Sequence, residues 1–517
     1  MISKIYSAIP HGFTGHIIEV EGDMNRGLPA FNIVGMANKT ISEARERVRS
    51  ALVNSGFSFP GYKVTINLAP ADLNKDGSYL DLPIALSVLV LSKQLREEDI
   101  KNRLFVGELS LDGRLKPIKG IINIVEAARD AGITEIFLPD ANLPQATLIK
   151  GPRIYGVNTL QSLFLHLKGQ KLIDLPSTIK TPPESPNLSQ DQTLLDHIRG
   201  QQLAKRAIEI AVAGHHNILI SGPPGAGKTL LAKAAASLLP PLSSEEKISV
   251  TKIYSIANLS TAKVIASRPF RSPHHTSSPA SIIGGGANAT PGEISLAHSG
   301  ILFLDELPEF PRPVLEALRQ PLEDKTISVS RTNQKATYPA DFMLIATMNP
   351  CPCGYLGDHS HECTCTNQQI QSYRKKLSGP LFDRIDIFVN VDKVDNAELI
   401  KKSSKNTHQH SVVKNTITGG ILRQHLRYKK PGFFNSSLSS YQVTKLIKLT
   451  PAAEKLLADA SEKLSLSARS YFKIIKVART IADLEAVENS THESNVIKET
   501  PIDTRHIAEA LSFRSLT

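Results

Sequence analysis

Nowhere in its 517 residues does the chain approach the roughly 20 consecutive apolar residues of a membrane-spanning helix, so the sequence predicts no span. The opening Met1-Ile2-Ser3-Lys4-Ile5-Tyr6 lacks the apolar core and small-residue cleavage site of a secretory signal, and the expected compartment is the cytosol. Cysteine is scarce, with four residues in all, confined to a single stretch from Cys351 to Cys365. Acid is in deficit, 49 Asp and Glu against 60 Lys and Arg. The resulting net charge of +11 favours an anionic partner such as nucleic acid, although overall charge speaks to non-specific association and not to fold. Between 401 and 430 acid is absent altogether, against eight Lys or Arg that include Lys401, Lys402, Arg427, Lys429 and Lys430. Such a run reads either as a solvated connector or as a surface that follows phosphates.

What is present is an ordinary globular balance, 41% apolar and 21% charged, in a chain long enough for about three domains. Residues 1–172 alternate β-prone runs, such as Gly15 to Val20 and Lys63 to Leu68, with a helical pattern from Ala37 to Val53, which predicts a mixed α/β domain. Residues 173–190 are rich in proline, which sustains neither helix nor central strand, and are expected to be a linker. A second α/β unit is expected over 191–393, a basic connector over 394–435 and a helical domain over 436–517. In the last of these, Thr450-Pro451 makes a helix N-cap and first-turn pair, with Leu456, Leu457, Ala460 and Leu464 on one face.

The second unit carries the chemistry. An apolar strand, Asn217 to Ile220, runs into Gly222-Pro223-Pro224-Gly225-Ala226-Gly227-Lys228-Thr229, and Leu230 to Leu239 is strongly helical. Strand, Gly-rich loop and helix in that order form a phosphate-binding loop: backbone N–H groups curl round the phosphates, Lys228 reaches the β and γ oxygens, and the Thr229 hydroxyl is a magnesium ligand. A buried strand, Ile301 to Leu304, ends in Asp305 and Glu306. Asp305 is positioned to hold magnesium, and Glu306 to polarise the attacking water. A further apolar strand, Phe342 to Thr347, delivers Asn349, whose amide can orient that water.

With these elements in place the chain resembles AAA+ ATPases, and more narrowly the magnesium-chelatase-like branch that includes the ComM/YifB family. The words that carry the resemblance are Gly200-Gln201, Phe270-Arg271-Ser272-Pro273-His274-His275, Pro291 to Gly300, and Ser378-Gly379-Pro380-Leu381-Phe382-Asp383-Arg384-Ile385-Asp386. The fold this implies is a P-loop AAA+ core with a parallel sheet and a helical lid domain. The resemblance further implies that Arg384 is an arginine finger reaching a neighbouring subunit's γ-phosphate and that Arg469 is the sensor arginine of the lid. Both would neutralise transition-state charge. A finger supplied by a neighbour requires a ring, and the family usually forms hexamers. Two insertions mark the branch: one around Ser277 to Thr290, and a hairpin over Thr326 to Tyr338 with Arg331 and Lys335 near its tip. In a ring these cations would line the pore and contact a nucleic-acid backbone, DNA in this family.

The cysteines form Cys351-Pro352-Cys353 and Cys363-Thr364-Cys365. In a reducing cytosol four thiolates this close suit tetrahedral zinc, with His359 or His361 able to replace one of them. Four protein ligands leave no open position, so the ion is expected to brace the loop and not to catalyse.

In the first domain, Asn74 to Tyr79 and Phe105 to Gly120 resemble the Lon protease domain. Lon-type peptidases need a serine activated by a lysine. Here the serine position falls on Tyr79, or on Ser78 after a one-residue slip, and the lysine position on Ile122, which cannot accept a proton. Only Lys119, from a different turn, could substitute. The domain is therefore expected to be a degenerate scaffold. The resemblance implies a DNA-stimulated, ring-forming ATPase that translocates on DNA as a branch-migration helicase in natural transformation and recombination. The alternatives are a protein-remodelling ATPase like the chelatase subunit and, less favoured, an ATP-dependent peptidase.

Overall fold

The computed structural model describes all residues except 1, 36–37, 72, 74, 76–77, 176–193, 287–288, 332–333, 359–360, 394–408, 490–499 and 515–517; for 38–42, 330, 331, 334 and 335 it describes the backbone alone. The N-terminal part is a seven-stranded mixed sheet. Its strands are β1 (Ile2–His11), β2 (Thr14–Asn25), β3 (Ala30–Val34), β4 (Lys63–Ala69), β5 (Arg103–Phe105), β6 (Glu135–Pro139) and β7 (Arg153–Val157), ordered β3-β4-β2-β1-β5-β6-β7. Helices α1 (Asn38–Asn54), α2 (Asp81–Leu91), α3 (Ile121–Asp130) and α4 (Leu160–Leu167) accompany it. Every residue of α2 is buried, so its apolar, non-periodic text makes a central core helix.

The second sheet is wholly parallel and has five strands. In chain order these are β8 (Ile218–Ser221), β9 (Phe270–Arg271), β10 (Ile301–Leu304), β13 (Met343–Met348) and β14 (Ile387–Asn390), in the spatial order β9-β10-β13-β8-β14. Strands β11 (Thr326–Arg331) and β12 (Gln334–Pro339) form a separate antiparallel hairpin. The parallel strands are nearly continuous apolar runs because both faces are covered. Ile218, Ile220, Ile301, Phe303, Met343 and Ile345 face one core, and Leu219, Leu302, Leu304, Leu344 and Ala346 face another. The helices here are α5 (Gln202–Gly214), α6 (Lys228–Leu238), α7 (Ser244–Ile256) and α8 (Asn367–Lys375).

Part of the stretch expected to be a basic connector is instead the 20-residue helix α9 (Gln409–Tyr428). Thr416, Ile417, Gly420, Ile421 and Gln424 form its buried stripe, and Gln424 Nε2 donates 2.8 Å to the Ala213 carbonyl at the end of α5. Residues 394–408, with Lys401 and Lys402, and most of the expected linker lie outside the described residues. The C-terminal helices are α10 (Pro451–Lys463), α11 (Ala468–Glu488) and α12 (Thr504–Ser512). Thr450 caps α10, its hydroxyl accepting 3.3 Å from Ala453 N. Of the four residues expected on its apolar face, Leu457 and Ala460 are buried while Leu464 stays 37% exposed.

The N-terminal part is seated on α7. Gly120 N donates to Ser255 Oγ at 2.8 Å, the fully buried Asn142 donates to Thr261 O at 2.8 Å, and Gln145 donates to Ser260 O and Lys263 O, both at 3.0 Å. Lys252 pairs with Glu126 and lies 4.3 Å over the Phe13 ring. Phe13 in turn packs edge-on against Tyr338 of the hairpin. The first insertion closes the group, since Tyr338 Oη donates 2.8 Å to Ala289 O.

Candidate nucleotide site

β8 ends at Ser221 and α6 begins at Lys228, so the loop between them lies at the carboxyl edge of the parallel sheet, where α/β proteins bind ligands. Gly225 and Gly227 have φ of +80° and +81°, a region L side chains rarely enter, which is why the loop needs glycine at both positions. Lys228 Nζ donates to Gly222 O at 2.6 Å, Pro223 O at 3.1 Å and Asn349 Oδ1 at 3.0 Å. Burial lowers the amine below the usual lysine range, against the pull of the Asp305 and Glu306 carboxylates.

β10 and β13 are adjacent and parallel, so Asp305 and Asn349 emerge from the same edge as the loop. Asp305 Oδ2 accepts from Thr229 Oγ1 at 3.4 Å, which brings the two expected magnesium ligands together. Glu306 is exposed and has a left-handed backbone, φ +54°, strain of the kind that collects at functional sites. Thr347, unassigned by its sequence, stands between these acids: its buried hydroxyl donates 2.5 Å to Asp305 Oδ1 and accepts 3.0 Å from Glu306 N. A lone hydroxyl inside an otherwise apolar strand was the one signal that could have found it.

The two arginines lie apart from this cluster. Arg384 and Arg469 each bond a different oxygen of one carboxylate, Glu323, and Arg384 Nη1 also donates 2.6 Å to Pro380 O. Among the described residues neither arginine bonds Lys228, Thr229, Asp305, Glu306 or Asn349. They open instead on a cleft of about 340 Å³ whose walls include Lys473, Lys476 and Asp386. Asn217 pins the Arg384 loop to the sheet: its Nδ2 donates 3.0 Å to Arg384 O, its backbone N donates 3.1 Å to Asp386, and its Oδ1 accepts 2.9 Å from Leu344 N. Lys473 of α11 donates 2.8 Å to Ile385 O, tying the helical part to the same loop. The side chains of Arg331 and Lys335, the expected DNA contacts, lie outside the described residues.

The four cysteine sulfurs fall within 4.8 Å of one another. Sγ–Sγ distances are 3.3 Å for Cys351–Cys353 and 3.6 Å for both Cys351–Cys363 and Cys353–Cys363. Tetrahedral zinc with Zn–S bonds of about 2.3 Å spaces its sulfurs by roughly 3.7 Å, so donor set and geometry fit that ion. His361 is stacked on Tyr355, ring centroids 4.9 Å apart, and stands outside the four-sulfur group; His359 lies outside the described residues.

In the N-terminal part Ser78 Oγ donates to Glu108, Ile122 is fully buried near the start of α3, and Lys119 is exposed. Among the described residues no lysine is bonded to Ser78. The start of α3 carries the Gly120–Ser255 contact, so the lysine position adjoins the face docked on α7.

The family profile described as "Magnesium chelatase, subunit ChlI" matches residues 194–399, "Subunit ChlI of Mg-chelatase" matches 20–142, and "Magnesium chelatase, subunit ChlI C-terminal" matches 407–514. The protein YifB of Salmonella typhimurium is 41% identical, over 100% of this chain and 97% of its own length. The competence protein ComM of Haemophilus influenzae is 40% identical, over 100% of this chain and 98% of its own. The Lon protease of Salinispora arenicola is 27% identical over 142 residues, 26% of this chain and 18% of that protein. Full-length identity at this level, with the phosphate loop, paired acids and docked Lon-like region, establishes that the chain belongs to the ComM/YifB family of magnesium-chelatase-like AAA+ proteins.

Proposed function

We propose that this protein is an ATP hydrolase that assembles into a ring, a hexamer by analogy with its family, and moves on DNA in the cytosol. The observation that carries the hydrolase reading is the meeting of Lys228, Thr229, Asp305, Glu306 and Asn349 at one sheet edge. Lys228 exchanges its bonds to the Gly222 carbonyl and the Asn349 amide for the β and γ oxygens. Thr229 and Asp305 would hold magnesium, which when bound neutralises phosphate charge. Freed from Lys228, Asn349 orients a water that Glu306 polarises for in-line attack. The ring reading rests on the separation of Arg384 and Arg469 from this cluster: each protomer offers them to the γ-phosphate of the next.

The DNA reading rests on the family, on a full-length relative named a competence protein, and on the basic balance of the chain. Within it, Arg331 and Lys335 contact the backbone of single-stranded or branched DNA without reading sequence, and the activity is branch migration during natural transformation and recombination. Cys351, Cys353, Cys363 and Cys365 hold a structural zinc ion. The test is the ATPase rate of the purified protein with and without single-stranded and branched DNA across a salt series, beside a casein-degradation control. Stimulation by DNA that fades with salt is expected. A rate unchanged by DNA together with no salt-sensitive DNA binding would end the DNA reading, and casein cleavage would restore the peptidase alternative.

A further inference from the structure

The cysteine loop leans on the phosphate loop. Gly354 is buried with φ +87°, and a Cβ built on it would lie 2.8 Å from Pro224 Cδ, 2.9 Å from Pro224 Cγ and 3.9 Å from Asn349 Cγ. The turn that presents it is closed by Gly354 N donating 3.0 Å to Cys351 O, and the two cysteine pairs are laced by Cys353 N donating 3.4 Å to Cys365 Sγ. Cys351 is fully buried two residues after Asn349, the partner of Lys228. Among the described residues from 351 to 365 there is neither helix nor strand; besides the sulfur cluster, the loop is held by Lys393, which pairs with Asp358 at 2.7 Å and lies 5.3 Å over the Tyr355 ring.

We infer that the four-cysteine cluster is a metal-dependent wall of the nucleotide site: a zinc-class cation on Cys351, Cys353, Cys363 and Cys365 sets the Cys351–Gly354 turn against Pro224 and thereby presets the phosphate loop and Asn349. Metal occupancy then controls nucleotide affinity, because binding energy of the ion is spent in ordering a segment that touches the loop. The inference rests on the reading of Gly222 to Thr229 as the nucleotide site.

The test uses the full chain, purified without chelator, and reads two quantities separately: zinc per chain by elemental analysis, and Kd for a fluorescent ATP analogue with magnesium in excess. About one zinc per chain is expected. A zinc-selective chelator, or the double change Cys363→Ser with Cys365→Ser, is expected to raise Kd at least about tenfold, and added zinc to restore the chelated native protein but not the double variant. Gly354→Ala is expected to keep its zinc but to lower the thermal transition and weaken nucleotide binding, since an L side chain is strained at φ +87° and the added methyl meets Pro224. Zinc-free protein with unchanged Kd, or zinc-loaded Gly354→Ala with native Kd, would overturn the inference. Zinc-loaded native protein that binds no nucleotide would refute the nucleotide site itself, a result separable from the other two.

Discussion

Lys228 meets three oxygens before any phosphate arrives, those of Gly222, Pro223 and Asn349, so its amine is held in place by bonds that a nucleotide can replace. Lys228→Ala is therefore expected to abolish binding of a fluorescent ATP analogue, whereas Glu306→Gln should leave binding near native and cut turnover about 10²- to 10⁴-fold, the usual worth of a positioned general base. Normal turnover in either would refute the assignment. Thr347 gives a subtler expectation. Its one hydroxyl serves both Asp305 and the Glu306 amide, so Thr347→Val leaves two polar groups short of a partner. The loss should be about 1–3 kcal/mol of stability with kcat falling more than KM rises, as urea titration and steady-state kinetics would read. A variant with native kcat would show that the hydroxyl serves folding alone. What sequence could reach at this scale was local: Gly222 to Thr229, Asp305 with Glu306, and Asn349 are neighbours in the text or follow apolar strands. Thr347, Asn217 and Glu323 escaped because their meaning comes from partners 41 to 169 positions away, and no spacing rule encodes such partners.

Helix α9 shows the same limit in an element. Its buried stripe at 416–417, 420–421 and 424 has helical spacing, but eight Lys or Arg without an acid over 401–430 gave the segment the composition of a connector. The strands and the phosphate-loop helix were legible because their apolar runs are uninterrupted. The docking of the N-terminal part on α7 was not, since Asn142 and Gln145 look like ordinary loop amides until their carbonyl partners in 260–263 are known. The joint between sheet and helical part also carries a pH response. Burial lowers both His215 and His298 to about 4, and the Asp341 amide donates 3.1 Å to His298 Nδ1, which needs that nitrogen unprotonated. With folded values near 4 and an unfolded value near 6.5, the unfolded chain binds more protons between the two. Stability therefore falls as pH drops from about 6.5 toward 4, by of order 1–3 kcal/mol for each group. Thermal melts across that window should show the decline, and His298→Gln should flatten it. A slope unchanged in the variant would remove His298 from the cause.

At the scale of the whole molecule the division between the Lys228 cluster and the Arg384–Arg469 pair is what the proposed ring has to explain. Glu323 now occupies both arginines with one carboxylate, an anion of about the reach that a γ-phosphate from outside would replace. In the proposed ring, a head-to-tail contact that closes by rotation would present every phosphate loop to a neighbour's arginines, and each active site would belong to two chains. Protein carrying Lys228→Ala has intact arginines but no nucleotide grip, and protein carrying Arg384→Ala binds nucleotide but offers the next subunit Arg469 without the finger. Each alone should lack turnover. Mixed in equal amounts under conditions of subunit exchange, about a quarter of the interfaces join an intact loop to intact arginines if assembly is random. ATPase activity should then reappear at a level that rises and falls with the mixing ratio and is greatest near equality. Recovery demands that loop and arginine come from different chains, because neither variant holds both. Continued inactivity across all ratios, with mixed rings confirmed by light scattering and differential tagging, would place Arg384 in the service of its own subunit and remove the physical reason for the ring.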